Sequence, residues 1–182
     1  MNSHLSAPES VEDHMDDEEP PPSGSAIEVD LIVDADITSP LSVDEILQAV
    51  RTAANQQGFH DGSIGVRITN DPTIRQINAQ HLGHDYATDV ISFGYDADPP
   101  RIEGELVVSV DTANQKALEI GWPQKHEMLL YIVHGVLHIT GMDDHEPSDR
   151  AAMRTAEENV FLYLGIQEIS RCGADQPDEV DQ

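Results

Sequence analysis

The sequence predicts an α+β fold: about four strands in a mixed sheet, packed with about five helices, and a metal site at the end of a central, buried helix. Three observations predict it. Short runs rich in β-branched residues are interleaved with longer runs of helical period, in the order β-α-β-α-β-β-α-α-α. One helical run, 123–140, is apolar nearly all round, which places it at the centre of the molecule. That same run ends in His134-Gly135-Val136-Leu137-His138, followed by Gly141 and the cluster Asp143-Asp144-His145.

Taken in order, Ile27–Val33 alternates apolar residues with Glu28 and Asp30, the period of a half-buried strand. Ser42 and Asp44-Glu45 open a helix over about 43–57 that ends at Gly58. Ile64–Thr69 is a second strand. Asn70-Asp71-Pro72 caps a helix over 72–82, whose apolar face is thin: Ile74, Ile77 and Leu82. Thr88–Phe93 reads as a short strand and Asp96–Pro100 as a loop. Glu105–Val110 is the most continuous β-branched run, expected to be well buried. Asp111 or Thr112 caps a helix to Ile120, which Gly121-Trp122-Pro123 breaks. The central helix follows, and Pro147-Ser148 start a last one over 148–164.

The ends differ from the middle. Residues 1–25 are acidic and Pro-rich, and 169–182 acidic again; neither can bury enough apolar surface to order itself, so both are expected to be disordered tails around one domain, 26–168. The net charge is −26, and about −16 remains when both ends are set aside. A field of that sign repels nucleic acid and argues against a nonspecific RNA or DNA binder. The lone Cys172 allows no disulfide within the chain. Neither a membrane span nor a signal peptide is legible, so a cytoplasmic protein is expected.

Residues four apart share one helical face, with Cβ atoms roughly 5–6 Å apart. His134 and His138 can therefore reach a single ion. Gly141 can turn the chain so that Asp144 or His145 returns as a third ligand. Three protein ligands and an open position describe a catalytic zinc site, one ion per chain. Zinc peptidases carry a glutamate after the first histidine as general base. Gly135 stands there, which argues against that chemistry.

His134–Asp143 resembles the signature of the YbeY family, zinc-dependent endoribonucleases specific for single strands. Asn78, Asp85 and Thr88–Phe93 are similar to that family's second motif, and Gly104–Ser109 to its third. The resemblance spans roughly 27–165. It implies late small-subunit rRNA 3′-end maturation and ribosome quality control. The implied partners are a single-stranded rRNA precursor, the small ribosomal subunit and its assembly factors, with neither DNA nor membrane. The sheet and the helix over 72–82 would form the RNA groove.

Two departures stand out. The family's usual third ligand is a histidine six residues after the second; counting six gives Asp144, while His145 is one later. Spacing favours the first and ligand type the second. The family's second motif also carries an arginine where this chain has Leu82. His84 is the nearby residue able to bond a phosphate or move a proton. Asp89, with Thr88, would orient a ligand histidine or line the cleft. Two other readings follow: an assembly factor that keeps a structural zinc without cleaving RNA, and a zinc hydrolase of another substrate.

Overall fold

The computed structural model describes residues 26–167 and residue 169, so the two tails fall almost wholly outside the described residues. The elements are β1 (Glu28–Val33), α1 (Val43–Gln56), β2 (Asp61–Thr69), α2 (Asp71–Leu82), β3 (Val90–Asp98), β4 (Arg101–Ser109), α3 (Val110–Ile120), α4 (Gln124–Ile139) and α5 (Pro147–Tyr163). Their order is the one the sequence pattern predicts. The sheet runs β1-β2-β4-β3; β1/β2 and β2/β4 are parallel and β3/β4 antiparallel. No helix among the described residues is long and apolar enough to cross a membrane.

Local chemistry sets the helix starts. Ser42 and Glu45 form a reciprocal capping box on α1, and the Asn70 side chain accepts from the Thr73 amide at the start of α2. The cap of α3 differs from expectation: Ser109 accepts from the Thr112 amide, so the helix begins at Val110. The Ser109 hydroxyl also bonds the Asp71 carboxylate, which joins the starts of α2 and α3.

The largest difference is the β3–β4 hairpin. Asp96–Asp98, expected as loop, pairs with Arg101–Glu103 beyond a register irregularity at Gly94/Asp96. This outer half is solvent-exposed along β3, so its side chains show no apolar alternation. Ladder hydrogen bonds hold it rather than burial.

Side-chain alternation divides the sheet into two faces. Ile64, Val66, Ile68, Leu106 and Val108 join the large core with Ile132, Val133, Val136 and Leu137 of α4. α1, α3 and α5 pack around α4 on this side. The opposite face carries α2 over a small cluster, Ile74, Ile91 and Val107. Leu82, expected on the apolar face of α2, is half exposed at its end.

Candidate metal centre

α4 packs directly on the sheet at a glycine. A Cβ on Gly135 would stand 2.7 Å from Leu106 Cδ2 and 3.0 Å from Val90 Cγ2. A glutamate at this position has no room, which agrees with the argument against a peptidase.

His134 and His138 lie one turn apart on α4, their rings perpendicular and their Nε2 atoms 2.9 Å apart. Each ring is anchored from behind. His134 Nδ1 is 2.7 Å from Glu157 Oε1 of α5, and His138 Nδ1 is 3.0 Å from the Met142 carbonyl oxygen. Both anchors are acceptors, so both Nδ1 atoms carry the proton. In the neutral rings the two Nε2 lone pairs then face each other. That arrangement repels unless a proton or a metal cation lies between them, and with Asp144 the pair could hold a divalent ion.

Gly141, at φ 94°, turns the chain out of α4 while its amide bonds the His138 carbonyl and the Met142 amide bonds that of Leu137. The turn returns Asp144 to the pair: its carboxylate oxygens are 3.7 Å from His134 Nε2 and 3.9 Å from His138 Nε2. The ligand atoms of His134, His138 and Asp144 all lie within 4.8 Å of one another. His145 is turned outward, its side chain 85% exposed and its Nε2 3.6 Å from Asp143 Oδ1. The structure thus brings Asp144, and not His145, to the histidines.

The site is electronegative. Burial alone would push the His134 imidazole down, but the hydrogen bond and charge of Glu157, with the fields of Asp89 and Asp144, outweigh it and raise its pKa. Asp89 accepts from the Thr88 hydroxyl and the Val90 amide, both at 2.8 Å, so it closes the turn into β3 while its field reaches His134. His84 is exposed in the loop between α2 and β3, its ring stacked on Tyr86.

A groove of about 740 Å³ lies between α2 and the sheet, lined by Arg67, His81, Phe93, Tyr95 and Glu105 among others. It lies on the face of the sheet opposite α4, since Glu105 points into it and Leu106 packs beneath Gly135. The histidine pair therefore does not line it. Arg67 is bound to Asp34 at 2.9 Å and Arg75 to Asp85 at 2.7 Å.

Sequence reasoning missed Glu157 and the Met142 carbonyl. A signal for Glu157 was present: it interrupts the buried stripe of α5 formed by Met153, Ala156, Val160 and Phe161.

Residues 33–165 match the family model described as Endoribonuclease YbeY. The chain is 46% identical over 149 residues to the endoribonuclease YbeY of Rhodopirellula baltica, covering 76% of this chain and 77% of that protein. It is 36% identical over 122 residues to the one of Persephonella marina, covering 64% and 79%. A solution structure of a Thermotoga maritima protein matches with a TM-score of 0.53 at 20% identity, over 80% of this chain and 98% of that one, and shows a shared fold.

Proposed function

The chain belongs to the endoribonuclease YbeY family, and on that premise we propose that it cleaves phosphodiester bonds of single-stranded RNA with a divalent metal ion, zinc, held by His134, His138 and Asp144. The observation that carries this reading is the pair of Nε2 atoms 2.9 Å apart with both Nδ1 atoms anchored. When bound, the ion would polarise a phosphoryl oxygen and activate water at neutral pH. The protein's part is to hold the imidazoles in register and to place one carboxylate beside them. His84 is the candidate for proton transfer or a hydrogen bond to phosphate, and Asp89 with Thr88 for shaping the approach. The substrate we propose is the small-subunit rRNA precursor at its 3′ end, in the cytoplasm, with the small subunit and its assembly factors as partners. Ribosomal partners would offset the repulsion of RNA by an acidic chain.

The test is cleavage of a single-stranded RNA matching that precursor end, with and without chelator. Metal-dependent cleavage that His138→Ala abolishes supports the proposal. Intact RNA under every metal condition, with binding to small subunits retained, overturns it in favour of a non-cleaving assembly factor. One feature favours that second reading. Leu82 offers no guanidinium where the family carries one, and Arg67 and Arg75 are each committed to an aspartate.

A further inference from the structure

We propose that Glu157 is a positioning residue of the metal site: from α5 it holds His134 in the one tautomer that presents Nε2 to the ion, and supplies a second negative charge beside Asp144. The inference rests on the metal-dependent reading above.

Glu157 is 2% exposed in the core stripe of α5, where Met153, Ala156, Val160 and Phe161 are its buried companions. A carboxylate in such a place is costly to bury unless it is paired. Its contact with His134 Nδ1, at 2.7 Å, has the length of a charge-assisted hydrogen bond. The other His134 tautomer would turn its Nδ1 lone pair on the carboxylate at 2.7 Å, and the proton on its Nε2, shared with His138, would stand where the ion belongs. Glu157 thus selects the metal-binding form before any ion arrives.

The two histidines are held by different means. His138 is oriented by a neutral backbone carbonyl and His134 by a full charge. A carboxylate behind an imidazole raises its basicity as a ligand, so His134 is the stronger donor of the pair. Glu157 behind His134 and Asp144 in front of it place carboxylates on both sides of the ring, and Asp89 adds its field.

The test uses the full chain and zinc, with affinity read by competition against a chromophoric chelator. Glu157→Gln keeps the volume but loses the charge, and its amide can turn either its oxygen or its nitrogen toward Nδ1. Zinc affinity is expected to fall about 10–100-fold. The imidazole ¹⁵N shifts of His134 in the metal-free protein, at alkaline pH, are expected to change from one tautomer to a mixture. Glu157→Ala should fall further in affinity; the Gln variant decides the matter where Ala does not fold. A folded Gln variant with wild-type zinc affinity and an unchanged His134 tautomer overturns the inference and leaves the metal reading intact. Wild-type protein that binds no divalent ion overturns both.

Discussion

Gly135→Ala tests whether α4 is held as closely as its histidines require. In the interior of a helix alanine is ordinarily better than glycine by about 1 kcal/mol. Here the new Cβ would meet Leu106 Cδ2 at 2.7 Å, Val90 Cγ2 at 3.0 Å and Ser92 Oγ at 3.1 Å. Leu106 is 1% exposed and packed on β4, so it has little space to rotate into. Overpacking of this kind costs about 1–3 kcal/mol. The sum is a net destabilisation of about 0–2 kcal/mol, which shifts Tm by about 2–4 °C per kcal/mol in a domain of this size. Urea unfolding followed by circular dichroism measures it. If α4 moves outward to relieve the contact, His134 next door moves with it, and zinc affinity should fall in parallel. Gly135→Glu, which writes His-Glu-x-x-His into the helix, is expected not to fold. A Gly135→Ala protein with a raised urea midpoint would show helix propensity winning, and would refute the claim of a rigid close approach.

The remaining predictions concern the site and its surroundings. Asp144→Ala should weaken zinc binding about tenfold or more, while His145→Ala should leave it unchanged; equal losses in chelator competition would restore His145 as a ligand. Glu127 is buried beneath Trp122, and burial outweighs its hydrogen bonds from Tyr131 and Trp122 to raise its pKa. Its folded form keeps the proton to higher pH than the unfolded chain does, so it contributes stability in acid that is lost as pH rises through the folded value. Glu127→Gln should therefore unfold at higher urea than wild type at neutral pH, with the gap closing toward acid; a gap independent of pH would sink this account. Leu82→Arg, at a half-exposed position, should leave Tm unchanged and speed RNA cleavage if the family's arginine clamps phosphate. An unchanged rate would show that the position is silent in this chain.

What was legible in the sequence was what local chemistry controls. The capping residues Ser42 and Asn70, the element order, and the shared face of His134 and His138 all follow from residues within four of one another. Spacing alone favoured Asp144 over His145, and the answer depends on the path of the turn. That path is set by Gly141 in its left-handed conformation and by two backbone bonds that end α4. The outer hairpin was invisible for another reason. Its acidic strand residues carry no burial pattern, and pairing depends on β4 arriving beside them. Glu157 lies 23 residues from the histidine it holds, and no local rule names its partner. A charge on an otherwise apolar stripe marks such a residue as paired without saying with what.

The same helix thus has to satisfy two opposed demands. Along its sheet side it must approach closely, which Gly135 allows against Leu106 and which Gly104 allows against Ile139. Along its other side runs a polar stripe, Glu127, Tyr131, His134 and His138, spaced by four, three and four residues and therefore on one face. An apolar helix would fold more simply with leucine at each of these positions. Every polar group on the stripe is instead anchored by a partner outside the stripe or next along it: Trp122 on Glu127, Glu127 on Tyr131, Glu157 on His134 and the Met142 carbonyl on His138. Anchoring of this kind fixes ring orientation before a ligand binds, which lowers the ordering cost of binding. The close packing and the polar stripe are therefore one device. The glycines let α4 pack directly on the sheet, and the Glu157 and Met142 anchors set the two ring nitrogens 2.9 Å apart.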